Sequence, residues 1–196
     1  LYTSRMTDAT YLTGHLLIAM PAMQDPNFVK TVTYICEHTD QGALGIVINR
    51  PLDMDLGTIF DQLSLESADP ELARQPVLQG GPVHQERGFV LHEPADTSDR
   101  EFDATLAVTD AIRVTTSQDI LTAMARGQGP KRALVALGYA GWGAGQLETE
   151  LVQNAWLSVP ASPKIIFDTP FDQRWRESAK LIGIDLNTIS HQAGHA

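Results

Sequence analysis

Two β-compatible runs separated by only a Gln41-Gly42 step place the strongest limit on what this chain can fold into. Residues 31–38 alternate, with Val32, Tyr34 and Cys36 on one side and Thr33, Ile35 and Glu37 on the other; residues 43–49 form the second run. So short a link favours an antiparallel hairpin. A further predicted strand, residues 12–20, comes before the hairpin and stops at Pro21, where residues 21–27 form a turn cluster with two prolines.

Helix and strand signals alternate beyond the hairpin. Leu56, Ile59, Phe60 and Leu63 recur at helical spacing behind Asp55, a good capping residue. Residues 64–75 read as a polar surface stretch. Val77-Leu78 and residues 88–92 read as a strand pair around the turn Gln79-Gly80-Gly81-Pro82. Residues 93–103 form an acidic loop, and residues 104–108 and 112–115 are short strands. Thr116-Ser117-Gln118-Asp119 opens a helix that buries Ile120, Leu121 and Met124 and ends at Gly127. Residues 131–139 read as an apolar strand, and residues 146–154 as a helix with Leu147, Leu151 and Val152 inward. Residues 164–167 read as the last strand. Thr169-Pro170-Phe171-Asp172 starts a final helix with Phe171, Trp175, Ala179 and Ile182 as its buried stripe and Gly183 as its end. Hairpins followed by strand–helix alternation predict an α+β fold, one domain over residues 1–196 with helices packed on a mixed sheet. Residues 1–11 are expected to be a poorly ordered N-terminal extension.

Charge and cysteine usage narrow the function classes. The 24 acids outweigh 14 bases, a net charge of −10, which disfavours direct nucleic-acid binding and attachment to an acidic membrane. Two small basic groups, Arg126, Lys131 and Arg132, and Arg174, Arg176 and Lys180, read as decoration of solvated faces. Residues 16–20, the longest apolar run, fall far short of the ~18 residues of a membrane span. The single cysteine, Cys36, cannot form an internal disulfide and fits a reducing cytosol.

The most suggestive local feature is Gly138-Tyr139-Ala140-Gly141-Trp142-Gly143-Ala144-Gly145-Gln146-Leu147-Glu148, between a predicted strand and a predicted helix. Glycines there admit positive φ and a close approach of ligand to backbone, and a helix start attracts anions. The nucleotide fingerprints do not match, however, and Glu148 and Glu150 in the first turn would repel a phosphate. A tight turn that seats Trp142 is the favoured reading. Cys36 with His38 or His15 could make a nucleophile pair, but its place in an alternating strand points to a buried, inert thiol, with His38 solvated at the strand end. His84 and His92 could meet across a hairpin, yet no third metal ligand stands at suitable spacing; His191 and His195 fall in the C-terminal tail. Arg50, between Asn49 and Pro51, could hold an anion or brace a loop.

Further stretches stand in order along the chain: Gly14-His15-Leu16-Leu17-Ile18-Ala19-Met20-Pro21, Asp25-Pro26-Asn27-Phe28, Glu37-His38, Gly42-Ala43-Leu44-Gly45-Ile46-Val47-Ile48-Asn49-Arg50-Pro51, Gly80-Gly81-Pro82-Val83, Arg87-Gly88-Phe89-Val90-Leu91-His92, the Gly138–Glu148 segment, Asn154-Ala155-Trp156-Leu157 and Gly194-His195-Ala196. Taken in this order they resemble the YqgE/AlgH family of bacterial proteins. The resemblance implies a mixed, mostly antiparallel, partly barrel-like sheet flanked by helices, and a bacterial cytosolic protein. The family carries a transcriptional-regulator label that rests on association with alginate control, and no accepted catalytic residues; the sequence shows no helix-turn-helix.

These readings converge on a non-catalytic regulatory or protein-interaction module that needs no cofactor and no metal. Its expected surface joins Asn49 and Arg50, Gly80 and Gly81, and Gly141, Trp142, Gly143, Gly145 and Gln146. The alternative is a protein or enzyme that binds a small anionic ligand, a nucleotide or phosphometabolite, on residues 138–146. The partner is thus a protein or a small ligand, and a homo-oligomer is compatible with either.

Overall fold

The computed structural model describes residues 11–94 and 102–188. All of the expected N-terminal extension except Tyr11 lies outside these residues, as do residues 95–101 of the acidic loop.

β1 (His15–Ala19), β2 (Val32–Thr39) and β3 (Gly42–Val47) form an antiparallel meander, with the hairpin closing at Thr39 and Gly42. Leu16 and Ile18 face one core while Leu17 and Ala19 face another, so β1 is buried on both sides. That is why its sequence is unbroken apolar instead of alternating. β4 (Pro51–Asp55) leads into α1 (Leu56–Gln62), whose first turn is capped by Asp55 accepting from the Thr58 N–H at 3.0 Å. A short helix α2 (Pro70–Ala73) precedes β5 (Pro76–Gln79) and β6 (Val83–His92). β7 (Thr105–Ala107), β8 (Arg113–Thr115) and α3 (Asp119–Ala125) follow.

β9 (Ala133–Gly143) is the spine of the sheet. Its first half runs between β6, antiparallel, and β5, parallel; its last four residues pair with β3. The strand order is β10-β1-β2-β3-β9-β6-β8-β7, with β4 and β5 branching from β9 into a curled half-barrel. The fold class is therefore α+β, as the sequence and the resemblance predict. The expected pairing of residues 77–78 with 88–92 is different: β5 and β6 each pair with β9 instead.

Toward the C-terminus, α4 (Gln146–Val152) and β10 (Trp156–Pro160) follow β9. β10 pairs with β1 and was missed in sequence. Its closing Pro160 is tolerated on an edge strand, where its missing N–H breaks no ladder. Residues expected as the last strand form instead a π-helical turn, Lys164–Asp168, in which the Thr169 N–H bonds the Lys164 carbonyl at 3.0 Å. A short apolar run has no periodicity to separate strand from helix, and here Pro163, at φ −55°, starts the turn. A 3-10 turn (Phe171–Gln173) then enters α5 (Arg174–Lys180). Trp175 and Ala179 are buried as predicted, whereas Ile182, beyond the helix, is 41% exposed. Val152, expected inward, is 82% exposed at the end of α4. Arg174, expected on a solvated face, is 2% exposed. Among the described residues no helix is long and apolar enough to cross a membrane.

Candidate functional site

The residues singled out in sequence divide along β3. At its C-terminal end, the Gln79 N–H bonds the Arg50 carbonyl and the Val47 N–H bonds the Gly80 carbonyl, each at 2.8 Å, so Asn49-Arg50 and Gly80-Gly81 are neighbours. At its N-terminal end, Gly42 pairs with Gly143. Five strand steps of ~3.3 Å separate those ends, about 16 Å. Gly143, Gly145 and Gln146 therefore lie at the far end of β3 from Arg50.

Asn49 and Arg50 brace the loop before β2. The Asn49 amide accepts from the Val32 N–H and donates to the Lys30 carbonyl, both at 2.9 Å. Arg50 donates to the carbonyls of Asn27 at 2.8 Å and Val29 at 3.1 Å. Partial burial lowers its pKa, opposed by the charge of Asp25.

The glycines divide too. A Cβ on Gly80 would sit 2.4 Å from the Gly138 carbonyl oxygen, and one on Gly81 would sit 2.1 Å from the Tyr139 carbonyl carbon. These two let the chain cross against the kink of β9 at Gly138, where φ is +80°. Gly141 and Gly143 differ: a Cβ on either would meet its nearest atom at 3.5 Å and 3.9 Å, ordinary contact. Both remain within β9, so the expected turn is confined to Ala144 and Gly145, the latter at φ +76° as the residue before α4.

Behind this strand Gln146, Glu148 and Glu150 of α4 each bond neighbouring groups. The Leu12 N–H donates to His38 Nδ1 at 3.0 Å, so that nitrogen carries no proton, and Nε2–H donates to the Glu148 carboxylate. His38 is thus 2% exposed, not solvated as the strand end suggested. Glu150 Oε1 accepts both the Trp142 indole N–H at 3.2 Å and the Trp156 indole N–H at 3.0 Å. Its Oε2 accepts from the Gln146 amide at 3.0 Å, while Gln146 Oε1 takes the Gly143 N–H at 2.9 Å. Phe28 closes the group, its ring 6.0 Å from Trp142 and 5.4 Å from Trp156.

Other candidates are likewise held. Burial, followed by the nearby charge of Glu37, pushes the Cys36 thiol far above the usual range, which makes it a poor nucleophile at neutral pH. His84 and His92 lie near opposite ends of one strand, and His92 bonds Thr115 Oγ1 and the Glu93 carbonyl at 2.7 Å each. Among the described residues no three His, Cys, Asp or Glu side chains are grouped as a metal would need. His191 and His195 lie outside the described residues.

Among the described residues, two of the hollows open on the sheet. One, of about 470 Å³, lies over the exposed face of β9 at Gly141, with Tyr139, Leu44, Thr39 and Glu37 around it. The other, a cleft of about 420 Å³, lies between α1 and α3 above Gly88 and Leu137.

The fold finds counterparts among known proteins. The AlgH-like family matches residues 16–187. The chain belongs to that family. A UPF0301 protein of Thioalkalivibrio sulfidiphilus is 54% identical over 191 residues, spanning 97% of this chain and 100% of that protein. A UPF0301 protein of Thiobacillus denitrificans is 56% identical over 185 residues, 94% of this chain and 97% of that one. The solution structure of the AlgH protein from Pseudomonas aeruginosa superposes with a TM-score of 0.75 at 47% identity, covering 95% and 97% of the two chains.

Sequence reasoning missed the Glu150 cradle in this AlgH-like chain, because the Trp142 and Trp156 that it joins lie on separate strands. It also missed the cleft, whose walls come from separate elements of the chain. Replacing Glu150 with alanine leaves two indole N–H groups without an acceptor and is expected to cost about 2–3 kcal/mol. Because two of the three tryptophans report directly on that carboxylate, tryptophan emission and urea midpoint should shift together. Unchanged emission would show that the indoles do not depend on Glu150.

Proposed function

We propose that this AlgH-like protein acts in the cytosol by binding, as a regulatory or protein-interaction module, and not by turnover. The observation that carries the reading is the open cleft between α1 and α3, whose apolar floor continues the second core to solvent. Support also comes from the chemistry around it: the thiol of Cys36 is held protonated, and His38, Glu148 and Glu150 are engaged in bonds that join elements. With a net charge of −10, a regulator of this kind fits contact with proteins or small molecules better than contact with DNA.

The test is rescue. In a strain lacking this protein, the altered transcript profile should be restored by Cys36→Ala and by His38→Gln as well as by the parent chain. A charge placed in the cleft by Leu121→Asp should fail to restore it while the variant stays folded. Loss of rescue by folded Cys36→Ala would point to thiol chemistry and overturn the reading.

A second reading, a small ligand on residues 138–146, draws on one observation. Gly141 and Gly143 have room for side chains, yet β9 keeps glycine there beside a 470 Å³ hollow. Glycine inside a strand costs stability and often marks a close approach. The one charged side chain around that hollow is Glu37, which argues against an anion.

A further inference from the structure

The cleft between α1 and α3 carries more chemistry than its apolar floor, and that chemistry names a class of ligand. Val90 stands opposite Val135, and Gly88 opposite Leu137, so Gly88 and Val90 share one sheet face with Val135 and Leu137, and Glu86 lines the same cleft beyond a register shift in β6. Ile59 of α1, Leu63 just after it, Met54 of β4 and Leu121 of α3 cover that face only in part. Where they part, Gly88 has no side chain, and a Cβ built there would meet nothing within 4 Å. Its φ does not require glycine. The missing side chain therefore opens the cleft, and the fold gains nothing internal from it.

At about 420 Å³ the space lies within the range of small-molecule sites. The polar groups gather at the mouth: Gln62, Thr116 and Gln118 are exposed, as is Glu86. Glu86 is the one charged side chain among the lining residues, and no Lys, Arg or His lines the cleft. Among the described residues its ion-pair partner is His84, 3.5 Å away and itself exposed. A carboxylate or phosphate headgroup would meet Glu86 with no cation to receive it. An ammonium head would meet a carboxylate, with its apolar body over Val135 and Leu137.

We propose that this cleft binds a small cationic amphiphile, an apolar body with a protonated amine, its head at Glu86 and its body above Gly88. The proposal rests on the binding reading above and specifies its ligand. The test uses the full chain, with N-phenyl-1-naphthylamine as a fluorescent reporter displaced by decylamine, decanol or decanoate below their micelle concentrations. Decylamine is expected to displace the reporter at a concentration about ten-fold lower than decanoate, the scale of one exposed charge pair gained and one repulsion avoided. Glu86→Lys should reverse that order. Gly88→Val, and independently Leu121→Trp from the α3 side, should weaken reporter binding at least ten-fold while circular dichroism shows an intact fold. Equal displacement by the three competitors, with binding still lost in Gly88→Val, would overturn the cationic class and leave the binding reading standing. Reporter binding unchanged in both occluding variants would remove the cleft from both.

Discussion

Gly81→Ala is expected to yield little folded protein, whereas Gly141→Ala, in the same glycine-rich neighbourhood, is expected to be as stable as the parent or slightly more so. The new methyl at position 81 would lie 2.1 Å from the Tyr139 carbonyl carbon, 2.2 Å from its oxygen and 2.4 Å from the Ala140 nitrogen. All three are backbone atoms of β9, the strand that holds β3, β5 and β6 together, so relief requires breaking pairings on two edges. A clash of that kind belongs with the exceptional losses of more than ~4 kcal/mol, a large part of a domain's 5–15 kcal/mol. At Gly141 the nearest atom to a Cβ is Tyr139 Cε2 at 3.5 Å, and removing glycine's freedom from the unfolded chain should stabilise by about 0.5–1 kcal/mol. Soluble yield and urea unfolding of the two variants read both outcomes. A Gly81→Ala protein with the parent's midpoint would mean that β9 and the Gly80-Gly81 crossing can separate.

That contrast shows how far the sequence could be read. Gly80, Gly81, Gly141 and Gly143 look alike as letters, since each follows or precedes an apolar run and each is compatible with a turn or a ligand. What separates them is whether another strand's backbone crosses within bonding distance, and the crossing strand lies about sixty residues away. The β2–β3 hairpin was legible because its link is local, and the cap of α1 because Asp55 and Thr58 are three residues apart. β10 was not, because its partner β1 is some 140 residues distant and its five residues carry no distinct alternation. The same limit hid His38. Its strand position suggested solvent, but Leu12 and Glu148 arrive from both ends of the chain to bury it. Of the candidate site residues, Asn49-Arg50 lies beside Gly80-Gly81, whereas the Gly143–Gln146 end lies along β3 from them. The cleft was invisible, since its walls come from β4, α1, β6, α3 and β9.

Arg174 is where local reading and packing diverge furthest, and its replacement should cost nearly as much as a cavity in the core. Next to Arg176 and Lys180 it looks like surface charge, yet its guanidinium donates to the Ile48 carbonyl at 2.6 Å and to the Thr169 carbonyl at 2.8 Å. The same group lies 4.4 Å from the centre of the Phe171 ring. It thereby fastens the start of α5 to the end of the β3 run across 126 residues of chain. Burial lowers its pKa to about 10, with the charge of Asp168 working against the shift, so the group remains charged at neutral pH. Arg174→Met keeps most of the volume but leaves two buried carbonyls without donors, an expected loss of about 3 kcal/mol. Arg174→Lys can reach one carbonyl and lacks the flat group over Phe171, for an expected loss of about 2 kcal/mol. The folded value lies below that of the free side chain, so the unfolded state holds the proton more tightly and stability from this group rises with pH only above about 10. Between pH 6 and 9 both states are protonated, and the measured losses should therefore be flat across that window. Urea unfolding of the two variants at pH 6 and pH 9 checks both claims. An Arg174→Met protein within 1 kcal/mol of the parent would show that water or a shifted α5 can satisfy Ile48 and Thr169 without the guanidinium.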